Sequence, residues 1–169
     1  MTHAARSLKP LPALIASMVL AGCASTTPLF PGDLEATVIA RHGPPAARYA
    51  VGTEQWLEYP GFQQTWFAHI NGEGKLTAWE PVLTQAKFAT ITLDKADKAL
   101  VLRTIGRPVE TAYLSLPKLE VWSYRYKESG VWNSMMHVHF DASGIVRKME
   151  NGPDPYFERE SRFFGRGRW

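Results

Sequence analysis

Three histidines are the residues whose spacing first suggests a chemical role. His137 and His139 lie two residues apart in Met-Met-His-Val-His-Phe, and His69 takes the matching place in Trp-Phe-Ala-His-Ile. Residues two apart in a β-strand share a face, and a His-x-His pair can ligate zinc or copper. No cysteine or obvious carboxylate accompanies the pair, and apolar residues alternate with it. We therefore predict that the alternating apolar residues face the core, and that the histidines face solvent without a metal.

Motifs for covalent or phosphate chemistry do not occur in the sequence. It has no Gly-x-Ser-x-Gly elbow, and no Gly-x-Gly-x-x-Gly or Walker loop. Ser134 and Ser143 lie near histidines in the sequence, but chance alone accounts for such proximity. Residue counts by themselves do not exclude a Ser/His/Asp triad. The acidic residues show no spacing that favours acid–base catalysis. We expect a protein that is not an enzyme and uses no cofactor.

Cys23 is the only cysteine, and its surroundings suggest a covalent modification. It ends the sequence Leu-Ala-Gly-Cys, which follows a short apolar run at 11–21. Such a run rises about 16 Å as a helix, too little for a hydrocarbon core of about 30 Å, so 1–22 is predicted to be a signal peptide. Leu-Ala-Gly-Cys closely resembles the bacterial lipobox. The resemblance implies that Cys23 becomes the first mature residue and carries acyl chains such as palmitate; the alternative is an ordinary secreted protein.

A lipid at Cys23 determines the location that we expect. One acyl chain gives only reversible membrane binding, whereas two or three hold a protein on the bilayer. Ala24 follows the cysteine where an Asp would favour the inner membrane in bacterial lipoproteins. The segment 23–30 is rich in small and polar residues and is predicted to be a lipidated tether. The protein is thus expected on the outer membrane, facing the periplasm.

Composition and charge exclude several classes of protein. Of 169 residues, 45% are hydrophobic and 21% charged, which is typical of a globular protein and not of a disordered one. The net charge of +3 at pH 7 is too small for the dense basic surface of a nucleic-acid binder. A single cysteine excludes an intrachain disulfide and a four-cysteine zinc ribbon.

The rest of the chain contains the same pattern twice. Gly43 and Pro45 align with Gly106 and Pro108, and an apolar stripe of helical spacing precedes each pair. Glycine after a helix can adopt the left-handed conformation, and a proline shortly beyond prevents the helix from resuming. In the second copy, Asp94 is predicted to cap the start of the helix.

Three strands are predicted after each helix. The first strand is aromatic in both copies, and the next two are joined by Asn-Gly-Glu-Gly or Asp-Ala-Ser-Gly, which indicate hairpins. The predicted strands lie at 56–59, 65–70 and 75–79 and at 121–126, 135–140 and 145–149. We predict an α+β fold of two tandem units, each a short helical element followed by a three-stranded antiparallel meander. The first unit spans 31–80, and a connector with the second unit spans 81–152.

This order of elements resembles the BamE/SmpA/OmlA family of outer-membrane lipoproteins. The shared marks are the lipobox, a helix ending in Gly-x-Pro, Trp-x-x-Tyr or Trp-x-Tyr, and a hairpin with Asp-x-x-Gly or Asn-Gly-x-Gly, over about residues 30–150. The resemblance implies a non-enzymatic, periplasm-facing adaptor or scaffold in envelope assembly; BamE itself helps to insert β-barrel proteins into the outer membrane. The tandem arrangement also resembles the β-lactamase inhibitor protein, which leaves an inhibitor or ligand-binding module as the alternative.

Aromatic and histidine side chains on the outer sheet faces are the candidates for partner recognition, since large aromatics favour interfaces. If apolar residues of the hairpin strands face the core, their neighbours face outward. The predicted recognition surface for an envelope protein consists of Phe67, His69, Trp132, His137 and His139. The alternative is that a loop or the C-terminal tail covers these side chains.

The connector at 81–93 and the C-terminal tail are expected to differ in burial. Phe88, Ile91 and Leu93 in the connector should be partly buried. The tail at 153–169 has four arginines and five aromatic residues, a mixture that suits single-stranded nucleic acid. In the periplasm, anionic lipid headgroups or an acidic protein surface fit better, so no nucleic acid is expected; the alternative is a solvated, unstructured tail.

Overall fold

The computed structural model describes residues 28–158, which form two antiparallel four-stranded sheets and several short helices. The first unit contains α1 (Glu35–His42), β1 (Ala47–Val51), β2 (Glu54–Pro60), β3 (Thr65–Ile70) and β4 (Leu76–Pro81). The second contains α2 (Gln85–Ala89), α3 (Lys98–Ile105), β5 (Glu110–Leu114), β6 (Leu119–Glu128), β7 (Trp132–Phe140) and β8 (Val146–Pro153). The predicted signal peptide, Cys23 and the tail beyond Glu158 lie outside the described residues.

The α+β class is confirmed, but each meander has four strands and not three. The strand orders are β1-β2-β3-β4 and β5-β6-β7-β8. The two strands that the sequence did not predict, β1 and β5, are five-residue edge strands that each pair with one neighbour. Neither contains a continuous alternation of large apolar and polar residues, which is the signal of a half-buried strand.

Both predicted helix ends are confirmed. Gly43 and Gly106 have φ angles of 81° and 79°, in the left-handed region, and the N–H of each donates to the carbonyl four residues earlier. The predicted N-cap of the second helix is wrong. Asp97, not Asp94, caps α3 by accepting a hydrogen bond from the N–H of Leu100 at 2.7 Å.

The two hairpin turns use the same side-chain chemistry. Oδ1 of Asn71 accepts hydrogen bonds from two backbone N–H groups of its own turn, each at 3.0 Å. Oδ1 of Asp141 does the same in the second unit, at 2.8 and 3.1 Å. Gly74 and Gly144 then supply the positive φ that each turn requires. The predicted hairpins β3–β4 and β7–β8 are therefore confirmed.

Each of the two eight-residue helices, α1 and α3, packs on one face of the sheet of its own unit. Val38 of α1 joins Ala68 and Ile70 in one core cluster, and Val101 and Ile105 of α3 belong to the other. The second cluster also includes residues of the predicted apolar faces and of the connector, namely Trp122, Tyr124, Tyr126, Val138, Phe140, Phe88 and Ile91. The predicted apolar faces, and the predicted burial of Phe88 and Ile91, are therefore correct. The predicted burial of Leu93 is wrong, because 45% of its surface is exposed.

The other face of the first sheet is covered by the end of α3. Glu58 on this face is fully buried, and its Oε1 accepts a hydrogen bond from the backbone N–H of Arg107 at 2.9 Å. A Cβ added to Gly106 would lie 3.0 Å from that same oxygen and 3.0 Å from Cγ2 of Thr65. The chain thus passes over the first sheet at van der Waals distance, which joins the two units.

Candidate binding surfaces

Phe67 is buried, so the prediction that it faces solvent is wrong. It lies opposite Glu58 in the β2–β3 register and is 0% exposed. Its ring packs near Tyr49 and Trp56, with centroid distances of 5.7 and 6.2 Å. Because opposite residues share a face, Phe67 lies on the side of the sheet that α3 covers. The contact between the units therefore removes it from the predicted recognition surface.

His69 is held on the same face by stacking and by a carboxylate. Its imidazole stacks on Trp56 with a centroid distance of 4.3 Å and an interplanar angle of 11°. Its Nε2 lies 3.0 Å from Oε1 of Glu80, an oxygen that also accepts a hydrogen bond from Nζ of Lys87 at 2.8 Å. Burial lowers the pKa of His69 despite the carboxylate. The imidazole is therefore neutral at pH 7, and its side chain is only 15% exposed.

His137 and His139 share a face of β7, as predicted, but they are not both exposed. His139 is 6% exposed, and its Nε2 lies 3.1 Å from Oε2 of Glu150. Burial lowers the pKa of His139. His137 is half-buried, with Nδ1 2.8 Å from Oγ of Ser123. Within residues 28–158, no group of three His, Cys, Asp or Glu side chains is placed to hold a metal ion.

Trp132 is largely exposed at the start of β7. Its exposed fraction is 69%, and its neighbour Val131 is 65% exposed. Phe67 and His139 are buried and His69 is mostly covered, so the five predicted residues do not form one continuous exposed surface. The prediction failed because the outer face of each sheet also packs inside the protein.

Exposed apolar side chains that the sequence did not predict lie along β5 and in the turn that follows it. Every residue of this strand is exposed, and the strand pairs only with β6 among the described strands. Tyr113 is 65% exposed, Leu114 41%, and Leu116 in the following turn 96%. We call Val109, Tyr113, Leu114 and Leu116, with the free backbone edge of β5, the edge patch. It was missed because the strand itself was missed.

A second unpredicted feature is an aromatic pocket of about 580 Å³ in the first unit. Its rings are His42, Tyr59, Trp66 and Trp79, and prolines and small residues complete the lining. The two indoles are parallel within 11° at a centroid distance of 5.7 Å, and the imidazole stacks on Trp79 at 4.5 Å. These rings come from α1 and three strands, so the linear sequence does not show that they meet.

Tyr59 is a lining residue of the pocket, whereas its hydroxyl oxygen is buried from solvent. The residue is 8% exposed, and its oxygen has no hydrogen-bond partner among the described residues. Burial raises the pKa of Tyr59, so the hydroxyl stays protonated and able to donate. A buried hydroxyl without a partner costs free energy.

The start of the predicted tail is part of the fold. Pro153 ends β8, and Asp154, which is 1% exposed, forms an ion pair with Arg125. The guanidinium of Arg125 also lies over the rings of Phe62 and Tyr156, at 5.0 and 5.3 Å from their centroids. Because Phe62 follows β2, this cluster is another contact between the two units.

Comparison with known proteins yields little. The sequence matches no family profile and no curated protein. A solved structure, that of a DUF4309 family protein (YjgB) from Bacillus subtilis strain 168, is similar with a TM-score of 0.32 and 9% identity, over 72% of this chain and 78% of that one. We infer no function from a likeness this distant. No helix within residues 28–158 has the length and apolar character needed to span a membrane.

Proposed function

We propose that the protein is a lipid-anchored adaptor that faces the periplasm from the outer membrane and binds an envelope protein, without catalysing a reaction. The lipobox-like sequence at Cys23 supports the anchor. The duplicated unit of helix and meander, and its resemblance to the BamE/SmpA/OmlA family, support a role in envelope or β-barrel assembly. The observation that carries the binding role is the edge patch.

A free strand edge presents a row of unpaired N–H and C=O groups, to which an extended segment of another chain can add as a further strand. Proteins usually protect such edges with lysine, proline or a covering loop. The β5 sequence Glu-Thr-Ala-Tyr-Leu contains neither lysine nor proline. Tyr113 and Leu116 add exposed apolar side chains next to the free edge, and aromatic residues are enriched in interfaces.

The matching edge of the first unit differs. Residues of β1 alternate between half-buried and exposed, and none is a large apolar side chain left exposed. Each edge strand carries one charged residue, but Arg48 of β1 is paired with Glu35 at 2.6 Å across to α1, whereas Glu110 only begins β5. The contrast favours the second unit as the one that binds a partner strand.

Affinity capture of the native lipoprotein from detergent-solubilised envelopes tests the proposal. Recovery of β-barrel assembly subunits in stoichiometric amounts is the expected result. Recovery of a periplasmic hydrolase in their place would favour the inhibitor-type module that the tandem arrangement also resembles. Catalysis of any reaction by the purified protein would contradict both the adaptor and the inhibitor-type module.

A further inference from the structure

Another pocket, of about 370 Å³, lies in the second unit, where α2 and the strands β6, β7 and β8 line it. Its volume is near the lower end of the range of about 300–1,000 Å³ that is usual for ligand pockets. The apolar part of the lining consists of Phe88, Ala89, Tyr126, Met136 and Met149. We call it the methionine pocket. Strand β5 does not line it, so a ligand here would be a function separate from the binding of a partner strand.

The two methionines give this pocket an apolar wall that can adapt. Met149 lies opposite Val138, which is two residues after Met136, so the two thioethers share a face of the sheet. Both side chains are half-buried and therefore reachable from solvent. Thioether side chains are flexible and polarizable, and they fit apolar groups of different shapes. The wall thus suits the apolar part of a small ligand.

Glu128 is the charged residue of the lining. Its Oε2 accepts a hydrogen bond from Oγ of Ser134 at 2.7 Å, and its Oε1 accepts one from Nε2 of Gln85 at 3.2 Å. The side chain of Asn151 forms a third hydrogen bond with the carboxylate. These hydrogen bonds, that of Asn151 first, lower the pKa of Glu128. The pocket therefore holds a negative charge at pH 7.

No cation of residues 28–158 pairs with this carboxylate. Lys127, its neighbour in the chain, donates from Nζ to the carbonyl oxygen of Val131 at 3.4 Å. Lys87 of α2 donates to Glu80 instead, at 2.8 Å. A carboxylate can accept about four hydrogen bonds, so the three neutral donors leave room for a charged one.

Trp132 adds an exposed indole beside this charge. It lies opposite Glu128 in the β6–β7 register, and residues in that relation share a face. Its exposed fraction is 69%, and the face of an indole attracts organic cations. The whole chain has a net charge of +3, so the attraction for a cation is local to this site.

An apolar wall next to an unpaired carboxylate matches a ligand that joins an apolar body to a cation. We propose that the methionine pocket binds a small organic ammonium ion, with its apolar body against Met136 and Met149 and its ammonium group beside Glu128.

The test is a titration of the purified full chain, ¹³C-labelled at its methionine methyl groups and held in a nonionic detergent. The probes are phenethylammonium, the neutral phenethyl alcohol and the anionic phenylpropionate, which share one apolar body. We expect phenethylammonium to shift the methyl signals of Met136 and Met149 saturably. The alcohol should bind at least about tenfold more weakly, and the anion should not bind. The signal of Met135, which is 2% exposed and points to the other side of β7, should not move.

A pair of variants tests the role of the charge. Glu128→Gln keeps the shape and an accepting oxygen but removes the charge. It should weaken the binding of phenethylammonium about tenfold, to the level of the alcohol, because charged hydrogen bonds are stronger than neutral ones. Glu110→Gln makes the same change at an exposed residue of β5 and should leave binding unchanged. If Glu128→Gln does not fold, the preference of the wild-type protein for the ammonium ion over the alcohol decides.

Three outcomes would overturn the proposal. The first is that phenethylammonium moves neither methyl signal at about 10 mM, a concentration well above a weak Kd of about 1 mM. The second is that the alcohol moves both signals at the same concentrations as the ammonium ion. The third is that only a lysine-containing peptide, added as a comparison ligand, moves them. Because no envelope partner takes part in this titration, its failure is distinguishable from a failure of the adaptor role.

Discussion

The carboxylate of Glu58 accepts a hydrogen bond from the backbone N–H of Arg107, a residue 49 positions later in the chain. The hydroxyl of Tyr49 donates to the other carboxylate oxygen at 2.6 Å. The carboxylate is fully buried, and buried acids are found where such partners satisfy them. This contact fixes the end of α3 on the first sheet, and so makes the stability of the two units interdependent.

Removing this carboxylate should destabilise the whole protein. Glu58→Ala leaves the N–H of Arg107 and the hydroxyl of Tyr49, whose hydrogen bonds are partly buried, without their acceptor, and each unsatisfied group costs about 1–3 kcal/mol. We expect a loss of about 3 kcal/mol in the free energy of unfolding in urea. Glu73→Ala, at an exposed ion pair with Lys75, should change the free energy of unfolding by less than about 1 kcal/mol. Equal effects of the two variants would contradict the role of Glu58.

The duplication offers a matched pair of glycines. Gly43 and Gly106 end equivalent helices with nearly the same φ, but only Gly106 has atoms of Glu58 and Thr65 where a Cβ would lie. Alanine at either position bears the strain of positive φ, and alanine at 106 adds a steric clash. We expect Gly106→Ala to lower the free energy of unfolding by about 1–2 kcal/mol more than Gly43→Ala. A larger loss for Gly43→Ala in the same urea series would disprove the close approach.

The buried histidines predict a loss of stability in mild acid. Burial holds the pKa values of His69 and His139 below their ordinary value, so the unfolded chain takes up protons first as the pH falls. Stability contributed by these groups is thus complete above about pH 6.5 and declines below it until the folded-state pKa is passed. Urea midpoints between about pH 7 and pH 5 measure this decline.

The double variant His69→Gln, His139→Gln should show a shallower decline than the wild-type protein over that pH range, since glutamine does not titrate. His137→Gln, at a half-buried imidazole beside Ser123, serves as the control. A double variant with the same slope as the wild-type protein would mean that other groups cause the acid sensitivity.

The proposed lipid anchor at Cys23 predicts a covalent label. Wild-type protein expressed in a bacterium with an outer membrane and fed labelled palmitate should incorporate it and sediment with the membranes, because more than one acyl chain gives stable attachment. Cys23→Ser removes the acceptor thiol, so it should abolish both the incorporation of palmitate and the sedimentation with membranes. Ser25→Ala, in the same segment, is the control and should leave both results unchanged. An unlabelled wild-type protein would favour the ordinary secreted protein.

What the sequence predicted well depends on local chemistry. The hydrogen bonds of the turns at Asn71 and Asp141 join residues that are close in the sequence, and so do those at the glycines that end the helices. Their positions therefore followed from residue type alone. The apolar face of β7 followed from the alternation of Val138 and Phe140 with the two histidines, and the apolar face of β3 followed by analogy with it. These signals need no knowledge of the neighbouring unit.

What the sequence did not predict depends on distant contacts. Phe67 is buried because the chain at Gly106 crosses its sheet, and no local pattern shows this approach. The pocket around Trp66 combines rings from α1 and three strands. The edge strand β5 lacks the buried face that makes a strand recognisable, and that same exposure makes it a candidate for binding.

The free edge of β5 is the proposed site of partner binding, and a comparison of two variants tests it. Ala112→Lys places a charge within the free edge, the device by which proteins block strand addition, while Ala50→Lys places the same charge on β1 of the first unit. In quantitative capture from solubilised envelopes, we expect Ala112→Lys to reduce recovery of the envelope partner about tenfold, and Ala50→Lys to leave it unchanged, with equal urea midpoints. Unchanged recovery with Ala112→Lys, or an equal loss with both variants, would contradict the proposed adaptor surface.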